Sequence, residues 1–176
     1  MNGIKGVLHV ADLNTLLIFN NSIRCKVLDI VMPRITHLGS ATATISTCVM
    51  ITIMGDGVVR KMGIQALFAL ALSHLFVQLL KNSVCRLRPK DVLLNINTFD
   101  VSLDYYSFPS GHTTAAFAIA TTLALNFPIL AVICFPIALL IGISRLYLGV
   151  HYPSDVLAGM AIAIFSSVIL QLIINH

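Results

Sequence analysis

Three short clusters in the second half of this 176-residue chain carry residue types and spacings suited to handling a phosphoryl group. The first runs Lys81-Asn-Ser-Val-Cys-Arg-Leu-Arg88-Pro89. Lys81 and Arg88 are seven residues apart, two turns if a helix continues, so both cations can point the same way. Taken alone, the cluster also fits Lys and Arg reaching for headgroups at a membrane edge. The second is Phe108-Pro109-Ser110-Gly111-His112-Thr113-Thr114, just before an apolar run. Ser110 suits an N-cap, whose helix start turns free N–H groups outward. Such a terminus attracts anions, and Gly111 lets the backbone come close to one. His112 in the first turn then lies beside any bound anion, although an ordinary capped helix with an interfacial histidine fits equally well. The third is Ser144-Arg145-Leu-Tyr-Leu-Gly-Val-His151-Tyr-Pro-Ser-Asp155. Pro153 suits a first helical turn. Asp155 then lies near enough to accept from one nitrogen of His151, fixing the tautomer and freeing the other to attack. By itself this is also a satisfied His–Asp pair at a helix cap.

Together the three clusters point to recognition of a phosphoryl dianion. Lys81, Arg88 and Arg145 supply charge, Ser110 and backbone N–H groups hold oxygens, and two histidines remain as nucleophile and acid. Fixed positive groups around a transferring phosphoryl supply the electrostatic stabilisation that metal ions often give. No acidic cluster suited to Mg²⁺ accompanies them, so neither a metal nor a cofactor is expected. Uncatalysed phosphate-monoester hydrolysis is slow enough to need enhancements up to ~10²¹, which justifies such a concentration of charge. The nucleophile must be neutral and the acid protonated, which predicts a bell-shaped rate profile with pH.

The elements that position these residues are apolar. Hydrophobic residues make up 57% and charged residues 10%, and mean hydropathy is +0.93. A soluble domain carries about 25% charged residues, so bilayer is the expected solvent for a single domain over 1–176. Spanning a roughly 30 Å hydrocarbon core takes about 20 apolar residues. Ile35–Gly55, Met62–Leu80 and Val156–Asn175 each meet that need, and Thr113–Ser144 holds two short helices broken at Asn126-Phe127-Pro128. The expected fold is therefore an all-α polytopic membrane bundle of five spans over 35–176. Residues 1–34 are expected to form interfacial amphipathic helices, because Lys5, His9, Asp12, Asp29 and Arg34 each cost about 2.5 to 3.5 kcal/mol at mid-span. A sixth span is the alternative. Met1–Gly6 lacks the order of a cleaved signal, so the N-terminus is expected to be retained.

Two polar connections, Lys81–Pro109 and Arg145–Asp155, emerge on one side by counting crossings, and a polar loop as long as the first is usually functional. The four cysteines, Cys25, Cys48, Cys85 and Cys134, sit at no metal or redox spacing. Net charge is +4 without a basic run, so no nucleic-acid partner is expected.

Lys81-x6-Arg88-Pro89, Pro109-Ser110-Gly111-His112 and Ser144-Arg145-x5-His151-x3-Asp155 resemble, in order and spacing, the tripartite signature of the type 2 phosphatidic acid phosphatase superfamily. The resemblance covers Lys81 to Asp155, with motifs at 81–89, 109–112 and 144–155. It implies a metal-independent lipid phosphatase in which His151 becomes phosphohistidine, Asp155 orients it and His112 protonates the leaving oxygen. Lys81, Arg88, Ser110, Gly111 and Arg145 would hold phosphate oxygens. It further implies a bacterial plasma membrane and an extracytoplasmic site. Undecaprenyl diphosphate stands slightly ahead as substrate, then phosphatidylglycerophosphate, then phosphatidate. A non-enzymatic lipid-phosphate carrier remains the other class of reading. Outside the motifs, His74 reads as a packing histidine or an intramembrane functional group. Asp104, Tyr105 and Tyr106 could line the entrance or simply sit at the interface; Asp29, Arg34 and the Thr36–Ser40 stretch could cover the site but read rather as structural.

Overall fold

Apolar runs punctuated by serine, glycine and proline fold into helices throughout the computed structural model, which describes residues 2–99 and 105–175. Helix α1 (Asn2–Leu17) runs into a π-helical turn at Ile18–Ser22. Helices α2 (Lys26–His37) and α3 (Ala41–Met54) follow, then the long α4 (Gly57–Val84) and a single turn, α5 (Pro89–Val92). Helix α6 (Gly111–Asn126) leads through a 3-10 turn at Pro128–Leu130 into α7 (Ala131–Tyr147) and α8 (Pro153–Asn175). The expected break at Asn126-Phe127-Pro128 is the α6–α7 junction, where proline supplies no N–H to continue the α6 ladder.

Helix α6 lies at the centre, packed on α4, α7 and α8. Its inward residues are small: Ala116, Ala118 and Ala120 meet Ala66, Ala69, Ala138 and Ala163, with Phe117 filling the remaining gap. Lipid tails are as apolar as a leucine side chain, so such helices associate through close backbone approach, which small residues allow. The outer faces present large apolar side chains, among them Phe68, Leu75, Val132 and Phe165.

Among the described residues, three helical segments are by themselves long and apolar enough to cross a membrane: Gly57–Val92, Pro128–Tyr147 and Pro153–Ile174. The expectation was five. Ile35–Gly55 is not one straight span, because α2 and α3 meet there at 55° and together qualify only as one bent crossing. Ser40 causes the restart: its hydroxyl accepts from the Ala43 N–H at 3.3 Å and caps a new helix. Helix α6 has 16 residues, about 24 Å at 1.5 Å per residue, which is short for a roughly 30 Å core.

Helix α4 does not continue through Arg88. Cys85 adopts a left-handed conformation, φ 48°, and its N–H bonds the Lys81 carbonyl at 3.1 Å. Arg88 precedes Pro89, which disfavours the helical region for Arg88 itself. Arg88 therefore returns toward the bundle from a loop rather than along a helix face. The connection beyond it is pinned by Asn20, whose amide donates to the Tyr147 carbonyl at 2.8 Å and to the Asn97 carbonyl at 2.9 Å.

Candidate active site

His151 sits in the short loop between α7 and α8. Gly149 makes the turn possible with φ +68°, and a Cβ there would lie 2.5 Å from Ile96 Cγ2. His151 is buried. Its Nε2 lies 3.1 Å from Arg88 Nη1, and its Nδ1 lies 3.5 Å from Asp155 Oδ2. A guanidinium only donates, so Nε2 accepts, and the proton is assigned to Nδ1 on the Asp155 side. At 3.5 Å the His151–Asp155 contact is an ion-pair distance rather than a formed hydrogen bond.

Asp155 is held by other groups. Its Oδ1 accepts from Arg86 Nη1 at 2.7 Å, and its Oδ2 accepts from the Tyr152 N–H at 2.8 Å. Arg86 also donates from Nη1 to Ser154 Oγ and from Nη2 to Asp12 Oδ2, both at 2.7 Å. Its guanidinium carbon lies 3.8 Å from the centre of the Tyr152 ring. Asp12 in turn accepts from the Ser154 N–H at 2.9 Å and from the Ser154 hydroxyl. Helix α1 thus reaches the site through an Asp12–Arg86–Asp155 chain, its two carboxylates buried and Arg86 half-buried. Neither Asp12 nor Arg86 was singled out for the site from the sequence. The signal was present: an acid within an apolar helix is expensive unless it is paired.

The proposed phosphate cations converge from three elements. Lys81 on α4, Arg88 in the loop and Arg145 on α7 are all buried. Arg88 donates to the Val150 carbonyl at 2.9 Å and the Tyr106 carbonyl at 3.0 Å, while Arg145 Nη1 donates to Thr36 Oγ1 at 2.7 Å. Thr36 belongs to a stretch read as structural rather than as a cover, and this bond joins it to Arg145. Beyond Thr36, Gly39 packs so tightly on His112 that a Cβ would lie 3.2 Å from the His112 Cβ.

The start of α6 completes the group. Ser110 is fully buried; its hydroxyl contacts the Thr113 hydroxyl at 2.9 Å and caps the helix. Its own N–H donates to the Asp155 carbonyl at 3.0 Å, tying the second motif to the third. A Cβ at Gly111 would point into open space. That space is the cavity of about 540 Å³ lined by Lys81, Gly111 and His112 and continued by His74 and Gln78. Tyr105 is exposed and lies edge-on to Tyr106, ring centres 5.6 Å apart. Asp104 lies outside the described residues.

Burial lowers the pKa of His112 from its ordinary value to about 3, helped by Arg145, His151, Arg88 and Lys81 in turn. His151 is pushed well below the usual histidine range by burial first, then by Arg145, Arg88 and Lys81. The sequence asked for one neutral and one protonated histidine. Burial first, and the neighbouring cations after it, favour the neutral form of both. A bound dianion reverses that balance and favours the protonated form of His112. Among the described residues no three His, Cys or Asp side chains gather as a metal site.

The likeness to known proteins follows the same residues. The chain is 33% identical to the lipid A 1-phosphatase of Rhizobium johnstonii over 115 residues, 63% of this chain and 47% of that protein. It thus spans about half of that relative's length. It is 35% identical to phosphatidylglycerophosphatase B of Bacillus subtilis over 157 residues, 81% of this chain and 73% of that one. The crystal structure of Aquifex aeolicus LpxE matches with a TM-score of 0.80 and 32% identity, covering 90% of this chain and 93% of that chain. The family model for the PAP2 superfamily matches residues 63–175. Because that match runs over more than half of the chain and over all three assembled motifs, the chain belongs to the PAP2 superfamily.

Proposed function

We propose that this membrane protein hydrolyses the phosphate of a membrane lipid through a phosphohistidine on His151, without a metal ion. The observation that carries the reading is the placement of His151 Nε2, 3.1 Å from Arg88 Nη1, among Lys81, Arg145 and His112. An incoming phosphoryl group takes over the Arg88 N–H, and its oxygens reach Lys81, Arg145 and the start of α6 at Ser110 and Gly111. Nε2 then forms a bond to phosphorus as the bond to the lipid oxygen breaks. His112, protonated in the presence of the dianion, gives its proton to that oxygen. The neutral His112 next takes a proton from water, whose oxygen attacks phosphorus. The N–P bond breaks, phosphate leaves, and both histidines return to their starting states. Asp155, 3.5 Å from Nδ1, orients the imidazole electrostatically and favours the proton on that nitrogen.

A pure lipid-phosphate carrier would need the cations but not a histidine with a bare nitrogen facing them. The site is placed on the extracytoplasmic face of a bacterial plasma membrane. This placement rests on the resemblance to bacterial members, because charge does not decide it. Arg60 and Lys61 sit at the opposite end of α4 from Lys81, but the site-bearing side carries more basic residues. The test is phosphate release in detergent with chelator present. Undiminished release supports the reading, and absolute dependence on Mg²⁺ contradicts it.

The phosphate site does not by itself separate lipid A 1-phosphate, phosphatidylglycerophosphate and undecaprenyl diphosphate, since each presents a terminal phosphoryl group. The resemblance placed undecaprenyl diphosphate slightly ahead, and no residue of the motifs separates the three. Selection among these lipids must lie further down the cavity.

A further inference from the structure

Below the phosphate site the cavity is lined by small and apolar groups, Gly39, Ala41, Ile45, Leu67 and Ala115 among them, with one polar pair on α4. His74 Nε2 and Gln78 Nε2 are 3.1 Å apart, one helical turn from each other. A carboxamide nitrogen can only donate, so His74 Nε2 accepts and its Nδ1 carries the proton. Neither residue belongs to the three motifs, and neither touches the proposed reaction centre. His74 is seven residues from Lys81, on the same helical face and about 10.5 Å deeper at 1.5 Å per residue. His74 is exposed and Gln78 half-buried. Exposed polar groups at such depth are costly unless a cavity or ligand meets them.

We propose that His74 and Gln78 form a subsite donating hydrogen bonds to the carbonyl oxygen of an acyl linkage. The lipid turned over would then be an acylated lipid phosphate rather than a prenyl one. This rests on the phosphatase reading above. It is argued from what each lipid offers at that depth. Beyond its phosphates a prenyl chain is carbon and hydrogen, and would cover this pair without accepting from it. Leaving such donors unmet is more costly than removing them. An ester or amide linkage between headgroup and tails brings an acceptor below the reacting phosphate. The pair is open to the same cavity as Lys81 and His112, so one molecule can reach both.

The test measures kcat/KM in detergent for phosphatidylglycerophosphate, its ether-linked counterpart lacking the carbonyls, and a prenyl diphosphate. Wild-type protein is compared with the variant carrying both His74→Leu and Gln78→Leu. The expected result is about a tenfold preference of the wild type for ester over ether lipid. The double variant loses about tenfold on the ester lipid through KM, and little on the ether and prenyl substrates. Those two substrates also report that the variant is folded. Equal losses on all three would reduce the pair to a structural role and overturn the proposal. So would a wild type indifferent to the ester, or one preferring the prenyl substrate. A wild type releasing phosphate from none of the three defeats the phosphatase reading itself, and the subsite with it.

Discussion

The two ends of α4 pair the same residue types with opposite consequences. At its first turn Arg60 lies 3.7 Å from Asp56, with side chains 54% and 100% exposed. Just past its other end Arg86 lies 2.7 Å from Asp155, whose side chain is 0% exposed, and 2.7 Å from Asp12. An exposed pair is worth about 0–1 kcal/mol, because water screens it and two long side chains must be ordered. A buried pair gains little over apolar packing, yet removing one partner costs about 3–5 kcal/mol. Stability alone therefore does not explain why Lys81, Arg88, Arg145, Asp12 and Asp155 are all buried at one end, with Arg86 half-buried among them. Burial of this much charge makes sense where a ligand completes it, and the ligand that fits an excess of cations is an anion.

The contrast can be broken most forcefully at His151. His151→Ala should lower kcat by at least about 10³-fold, as removal of a nucleophile does, while the variant still binds phosphate. Residual turnover near the wild-type rate would leave the two ends equivalent. Arg88→Ala should cost about 10²–10³-fold in kcat, the range for one donor to developing charge. Arg86→Ala should lower the detergent unfolding temperature by several degrees, corresponding to about 3–5 kcal/mol, because it strands both Asp12 and Asp155. It should also lower kcat more than it raises KM. If only stability falls, the Asp12–Arg86–Asp155 chain is structural and does not position His151.

How much of this was legible in the sequence depends on separation along the chain. Lys81, Ser110, His112, Arg145, His151 and Asp155 could be read because each sits within a short motif beside a helix end. The apolar runs equally announced an all-helical membrane bundle. Asp12 could not be read as a site residue, since its partners Arg86 and Ser154 lie 74 and 142 positions away. Locally it looked only like a charge that spoils a span. The pairing of Thr36 with Arg145 was hidden the same way, across 109 positions. The α2–α3 bend escaped because uncharged composition says nothing about a serine cap inside a run. Whether α4 carried on to Arg88 stayed open, because spacing alone cannot show Cys85 turning left-handed.

A gentler probe uses pH. Both histidines have folded pKa values below the unfolded value, His112 down to about 3. They therefore stabilise the empty protein fully above about pH 6.5, and that stability is lost as pH falls toward the folded values. The unfolding temperature should drop between pH 7 and pH 5, and added phosphate should restore part of it by taking up a proton at His112. Phosphate with equal effect at both pH values contradicts the electrostatic account of the site. Smallest of all, Arg60→Ala should change stability by less than about 0.5 kcal/mol and leave kcat unaltered. A larger change would show that the exposed end is not the inert counterpart taken here.

The chemistry is tested most directly by trapping the covalent intermediate. A lipid phosphate radiolabelled on its reacting phosphorus is mixed with the protein in detergent and chelator, and turnover is quenched in alkali within milliseconds. The account predicts label on the peptide containing His151, stable to alkali and lost in acid, and no label in His151→Ala. Steady turnover with no labelled protein, or label on another residue, would contradict it.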